Sequence, residues 1–279
     1  MRCLAHHTLI SKQIINPMLT PSMSSSGLKK TLRLLVKNGV IDRRLAHGKA
    51  FFEIAQDLPG RTKAADLIGC ASDDLFRPKI RTGELLHHEL CEYWIWTIRR
   101  LFPLATIIRA DEIDGSELAQ EILLADKGEC EVFPDFLLHF PTSEHNRWTT
   151  VAFEIERTRK SNQRIIRKIK KYTCEARLDG VVYICDSARL SETIRLLYLK
   201  ANQKRSQRIG HYSDFFFMLS NAIEPNMNPL DCMFNACGQP VYLDRWIMQL
   251  LTTKLAFRRP HEFADVLRGD QLNPDSAAL

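Results

Sequence analysis

The sequence predicts an α/β protein in which a small winged helix-turn-helix unit precedes a larger α/β domain. Three observations predict it. Within the first 60 residues a short helix, a turn, a basic amphipathic helix and two β-type runs around a glycine follow one another. Between about residues 80 and 220, helical patterns and apolar runs alternate in the order α-β-β-β-α-β. One of those runs, "GVVYICDS", is continuously apolar, as expected for a strand covered on both faces.

Residues 8–18, "TLISKQIINPM", read as a short helix with Pro17 near its end, and leave little room for a helix ahead of Thr8. "LTPSMSSSG" is a turn rich in Ser and Pro. The basic helix "GLKKTLRLLVKNG" starts near Ser25 or Ser26, where a hydroxyl can accept an N–H of the first turn. Leu28, Leu32, Leu35 and Val36 share one face, while Lys29, Lys30, Arg33 and Lys37 fall mainly on the other. Asn38-Gly39 stops the helix. "VIDRRLA" and "KAFFEIA" flank His47-Gly48 and read as a hairpin. This is the order of a winged helix-turn-helix, which would place the basic helix in the DNA major groove, with Arg43, Arg44 and Lys49 reaching phosphates. A helical hairpin that only packs uses the same elements.

Residues 57–80 read as a linker. "TGELLHHELCEYWIWTIRRLF" is a helix of about five turns ended by Pro103. "ATIIRADEIDG" is a strand and an acidic turn, "CEVFPDFLLHF" a second strand, "EHNR" a turn and "WTTVAFEIE" a third strand. A long basic helix, the strand "GVVYICDS" and the helix "RLSETIRLLYLKANQKR" follow. The expected divisions are therefore 1–60, 80–220 and a C-terminal extension, 221–279, with one helical pattern in "LDRWIMQLLTTKLAF".

The net charge of +6 is unevenly spread: residues 157–177 hold nine Lys/Arg and one acidic residue. Such a run is either the solvated face of a helix or a surface for a polyanion, of which nucleic acid is the commonest. The eight cysteines form no C-x-x-C pair, and most sit in apolar runs, as free thiols do in a reducing compartment. Cys232 and Cys237 lack a matching Cys or His pair, so the spacing supports zinc only weakly. "MRCLAHHTLISKQ" lacks the apolar core and cleavage site of a signal peptide, and no stretch has the apolar length of a membrane span. The expected location is the cytoplasm.

Three acidic residues stand out. Asp135 follows Pro134 inside an apolar strand, and Glu154 and Glu156 lie two apart in the next. Side chains alternate along a strand, so both glutamates share a face opposite Val151, Phe153 and Ile155. Two carboxylates on one face of a central strand need something cationic between them. With Asp135 on a neighbouring strand, the cluster suits Mg²⁺ or Mn²⁺, which bind oxygen donors and phosphate. The same glutamates can equally pair with the next helix as a salt-bridge network, since Arg157, Arg159 and Lys160 follow directly. Lys160, Arg164 and Lys168 form one stripe of that helix, Ile165, Ile169, Tyr172 and Ala176 its buried face. Lys160 or Lys168 could lean toward the carboxylates, and the remaining cations would track a DNA backbone.

"PD" in one strand followed about twenty residues later by "FEIERTRKS" resembles the PD-(D/E)xK nuclease superfamily. The winged N-terminus, the "HHEL" helix, the "PDF" strand, the E-x-E strand end and the K-x-x-x-Y helix together resemble the replication-relaxation family, which includes the MobC-type relaxases of mobilisable plasmids. The resemblance spans roughly residues 8–220. It implies a restriction-endonuclease-like core, a divalent metal and nicking of one DNA strand at a plasmid transfer origin, alongside other mobilisation proteins. It gives Asp135 the acidic position of the PD motif and Glu154 and Glu156 the E-x-E pair. The chain departs from the superfamily in having Glu156 where a lysine is usual, so a basic residue must come from elsewhere: Lys160 first, Lys168 second. His88 and Glu89 match a region that often supplies a further acidic residue, and otherwise read as a surface or core pair of their helix. Tyr172 reads as core rather than as a nucleophile. The expected activity is thus a metal-dependent nickase using Asp135, Glu154, Glu156 and Lys160. A non-catalytic DNA-binding regulator with the same fold is the alternative, and an adaptor in a transfer complex is a third reading.

Overall fold

The computed structural model describes residues 4, 9–19, 23–77, 79–113, 115–119, 132–140, 149–174, 178–202, 214–220 and 233–255. The described chain forms two compact units, divided between Thr97 and Ile98. Among the described residues no helix is long and apolar enough to cross a membrane.

The first unit opens with strand β1 (Ile10–Ser11) and helix α1 (Lys12–Leu19), so the expected helix begins directly after a two-residue strand that the sequence did not announce. Helix α2 (Ser25–Lys37) is capped by Ser24, whose hydroxyl accepts from the N–H of Gly27 at 3.1 Å. Leu28 and Leu32 are buried, Leu35 and Val36 half-buried, and Lys29, Lys30, Arg33 and Lys37 exposed, as the periodicity predicts. At the far end Gly39 takes φ 64°, which lets the chain turn into the hairpin.

Strands β2 (Ile41–Ala46) and β3 (Lys49–Ile54) pair antiparallel from Ile41↔Ile54 to Ala46↔Lys49. His47 (φ 51°) and Gly48 (φ 70°) make the two-residue turn, and two positive φ angles match the twist of the strands they join. β1 adds to the other edge of β3, giving the order β1-β3-β2.

Residues 57–80 are not a linker throughout. Helix α3 (Leu58–Ile68) is capped by Asp57, whose carboxylate accepts from Gly60 N–H at 2.8 Å, and ends at Gly69 in the left-handed conformation. Its buried residues are only Gly60, Ala64 and Ala65, a small apolar face that periodicity barely registers. Helix α4 (Leu85–Leu101) follows two 3₁₀ turns and spans the division between the units.

The second unit is built on a seven-stranded sheet, order β10-β9-β8-β7-β6-β5-β4. β4 (Thr106–Arg109), β5 (Phe136–Phe140) and β6 (Thr149–Glu156) run antiparallel in sequence order. Helix α5 (Asn162–Cys174) then carries the chain to β7 (Gly180–Cys185), parallel to β6. Helix α6 (Ala188–Asn202) does the same to β8 (Asp214–Leu219). From α4 to β7 the order is the α-β-β-β-α-β that the sequence predicts. The expected turn at "EHNR" lies outside the described residues.

The sheet extends past where the sequence could be read. β8, with β9 (Met233–Asn235) and β10 (Pro240–Val241), completes it, so part of the supposed C-terminal extension is sheet. Helix α7 (Leu243–Leu255) matches the helical pattern read there.

β6 and β7 are buried at every position, which means the sheet is covered on both faces. On one face Leu137, Ala152, Val181, Tyr183, Phe215 and Phe217 pack with Ile165, Ile169 and Tyr172 of α5 and Leu190, Ile194 and Leu197 of α6. On the other, Trp246 of α7 lies against Phe216 with ring centroids 4.4 Å apart. Gly180 sits beneath the same indole. A Cβ there would stand 2.3 Å from one ring carbon and 2.8 Å from the next. Gly180→Ala is therefore expected to lower stability by about 2 kcal/mol, seen as a fall of roughly 5 °C in Tm by circular dichroism. An unchanged Tm would mean that α7 does not pack here in solution.

Candidate functional site

Asp135 does not lie inside β5 but one residue ahead of it. Pro134 before it has no N–H to give a ladder, and Asp135 itself ends the pairing. Its N–H donates to Phe153 O at 3.0 Å, and its carbonyl accepts from Ala110 N–H at 3.1 Å. Its Oδ2 accepts the Ile155 N–H at 2.6 Å, the next donor along β6. Three hydrogen bonds thus fix the residue across from Glu154, since Phe136 pairs with Phe153.

Glu154 and Glu156 share the face of β6 that α5 covers. They are 1% and 4% exposed. Glu154 is held at both oxygens: Lys168 Nζ donates to Oε2 at 2.5 Å, and the Tyr172 hydroxyl donates to Oε1. Lys168 and Tyr172 are four apart on α5, so one helical turn presents an ammonium and a phenol to one carboxylate. Glu156 accepts from Lys160 Nζ at 2.7 Å. Both lysines named from the sequence lean onto the carboxylates, Lys168 on Glu154 and Lys160 on Glu156. Their side chains keep 29% and 32% exposure, so each ammonium joins the buried acids to solvent.

Burial pushes the Glu154 carboxyl up to about 7; Lys168 pulls the other way and Asp135 adds to the rise. Lys168 itself is desolvated, yet the Glu154 charge holds its ammonium above the ordinary lysine value. Burial, reinforced by Glu154, drives Tyr172 well above the usual phenol range. Tyr172 therefore stays a hydrogen-bond donor, which fits its reading as core and not as a nucleophile.

Tyr183 is a residue that sequence reasoning missed. It pairs with Glu154 across β6 and β7, and its hydroxyl is buried with no hydrogen-bond partner among the described residues. Burial first, then Glu154, Glu156 and Asp135, hold that phenol well above its usual range. Only the β6–β7 register brings it here, so no local motif could have marked it. A buried hydroxyl without a protein partner is normally satisfied by water. Mg²⁺ and Mn²⁺ take carboxylate oxygens as donors. The all-oxygen donor set therefore fits Mg²⁺ or Mn²⁺ in chemistry, although the bonds to Lys168 and Lys160 already neutralise much of its charge.

The remaining candidates divide into exposed and engaged. Lys29, Lys30, Arg33, Lys37 and Arg43 of the first unit are exposed, as is Arg164 of α5. Arg44 is not presented outward as expected of a wing cation, because its guanidinium donates to Ile80 O at 2.6 Å and Thr82 Oγ1 at 2.9 Å. Lys49 is likewise engaged, 3.2 Å from Glu89. That pair leaves Glu89, 3% exposed, neutralised inside the first unit. His88 lies 3.5 Å from Glu92 on the next turn of α4. Among the described residues Cys70, Cys185 and Cys237 are free thiols, and burial raises the Cys185 thiol far above its usual value. No family model, no curated protein and no solved structure matches the chain.

Proposed function

We propose that this protein is a metal-dependent DNA nickase of the plasmid-mobilisation relaxase kind, with a PD-(D/E)xK-type core and a winged helix-turn-helix reader. The observation that carries the reading is the meeting of Asp135, Glu154 and Lys168 at the junction of β5, β6 and α5, with Glu156 and Lys160 one strand pleat away. The strand and helix order from α4 to β7 supports the nuclease core. The order β1-α1-α2-β2-β3, with a three-stranded sheet and an exposed cationic α2, supports the reader.

Asp135, Glu154 and Glu156 would hold the divalent cation. When bound, such a cation stabilises charge on a phosphate and makes water a better nucleophile near neutral pH. The chain's own residues do the rest. Lys168, partly exposed, offers an ammonium to a phosphate arriving from solvent. It sits on Glu154 beside Asp135 and is better placed for this than Lys160, which steadies Glu156. Tyr172 orients Glu154 by donating to one oxygen. Glu154, whose carboxyl burial pushes up to about 7, must lose its proton before it could hold the cation.

The reading is tested by nicking of supercoiled plasmid carrying a cognate transfer origin, with Mg²⁺ or Mn²⁺ and with chelator. Metal-dependent open-circle product supports it. One observation favours the regulator: each glutamate already has a lysine partner and is neutralised without a metal. Tight DNA binding without any nicking would establish that reading.

Both readings make DNA affinity fall steeply with salt. Four to five phosphate contacts from α2 and Arg43 give a log–log slope of about −4. Lys29→Gln with Lys30→Gln is expected to flatten it by about 2, measured by fluorescence anisotropy on a labelled duplex. A flat dependence in the natural protein would point to an adaptor in a transfer complex instead.

A further inference from the structure

The first unit contains a cavity of about 320 Å³ lined by three of the cations that the nickase reading gives to DNA phosphates, Lys29, Arg33 and Arg43, together with Lys12. Its lining divides sharply. Leu32, Val36, Ala50 and Phe52 are apolar, while Lys12, Lys29, Arg33 and Arg43 are cationic, and among the described residues no acidic one lines it. The local geometry explains the division. Lys29 and Arg33 are one turn apart on α2, with Leu32 and Val36 one turn apart on the adjoining stripe. Arg43 stands directly opposite Phe52 across β2 and β3, and Phe52 pairs on its other side with Ile10 of β1. Lys12 begins α1 just beyond that strand.

Among the described residues none of the four cations makes a hydrogen bond or an ion pair. The contrast with Arg44 and Lys49 in the same unit is plain, since both of those are engaged internally. Four unpaired like charges around one opening repel one another, an anion between them relieves the repulsion, and an apolar floor selects an anion with a hydrophobic body. The volume is that of a small-molecule pocket.

We propose that this cavity is a binding site for a small organic anion, one carboxylate, sulfonate or phosphate on an aromatic or branched apolar body. The anionic group meets Arg33, Arg43, Lys29 and Lys12, and the body lies on Phe52, Leu32 and Val36. The site lies wholly within the first unit and is independent of whether the second unit cuts DNA.

The test is fluorescence titration of the full chain with 8-anilino-1-naphthalenesulfonate and with its uncharged relative N-phenyl-1-naphthylamine. Saturable binding of one sulfonate per chain is expected. Arg33→Gln with Arg43→Gln should weaken the sulfonate about tenfold or more and leave the uncharged probe within about twofold. Both arginines are exposed, so the double variant should keep its Tm. Ala50→Phe, which fills the floor, should weaken both probes. Equal sulfonate affinity in natural and double-variant protein would overturn the proposal, because the anion would then sit elsewhere. Tight salt-sensitive binding of duplex DNA with no saturable sulfonate binding would also overturn it, by assigning the cations to phosphates of DNA.

Discussion

Glu154→Ala is expected to reduce metal-dependent nicking of supercoiled plasmid by a hundred- to a thousandfold or more, the scale lost with a principal electrostatic group of an active site. The substitution removes a donor for the cation and leaves Lys168 without its carboxylate. Asp135→Asn should act in the same direction, although its side chain can still accept the Ile155 N–H and so keep the strand end in place. The natural protein's rate is expected to climb as pH passes about 7, because Glu154 must lose its proton before it can hold a cation. Agarose gels of plasmid incubated with each variant across pH 6 to 8.5, with and without chelator, read all three effects. Nicking that survives Glu154→Ala would remove the carboxylates from the chemistry.

Lys168→Met is expected to destabilise the second unit by about 3 kcal/mol at pH 8, near the lower end for one partner lost from a buried pair, because Lys168 is partly exposed. The loss should shrink at pH 5.5. The folded-state affinity of Glu154 for its proton is raised, from 4.5 to about 7. Its contribution to stability is thus complete below about 4.5 and is lost as pH rises through about 7. Below that range the carboxyl is neutral and tolerates the missing ammonium. Above it, Glu154 without Lys168 either stays protonated against the solution pH or ionises with only Tyr172 to satisfy it, and either way the cost grows with pH. Glu154→Gln should remove most of this dependence, which amounts to about 3 kcal/mol over the interval. Urea melts at the two pH values decide the matter: a Lys168→Met penalty independent of pH would mean that Glu154 is ionised throughout.

The parts of this molecule legible in its sequence are those whose signals are local. α2 shows itself by apolar residues four apart and a serine-capped start, the β2–β3 hairpin by His47-Gly48, and β7 by an unbroken apolar run. The glutamates were visible because a two-residue spacing in an apolar strand has only one geometric meaning. What stayed hidden depends on distant partners. α3 buries little beyond two alanines, and its Pro-Gly start imitates a turn. β8 is as apolar as β7 yet follows a long helix, and its place in the sheet is not legible from its own residues. Asp135 reads as part of a strand because its backbone still bonds to β6 and to Ala110, while its side chain takes the next N–H of β6, which no pattern of hydrophobicity records. Arg44 and Lys49 resembled phosphate-seeking wing residues, and only the path of residues 80–89 shows what occupies them. Tyr183 enters the site through strand register alone.

The ends of the two sheets bear on how the protein behaves when concentrated. An outer strand with free backbone groups invites a second chain to add on, and from that contact come exchanged dimers and fibres. Here β10 is two residues long and begins with Pro240, which has no N–H to offer. β4 is four residues long and closes on Arg109. In the small sheet β1 is only two residues, and β2 carries Asp42, Arg43 and Arg44 in succession. Each border is short, charged or missing a donor, while the long apolar strands β6 and β7 lie between neighbours on both sides. Among the described residues such borders offer little to a strand from a second copy, so clumping by strand addition is expected to follow unfolding and not precede it.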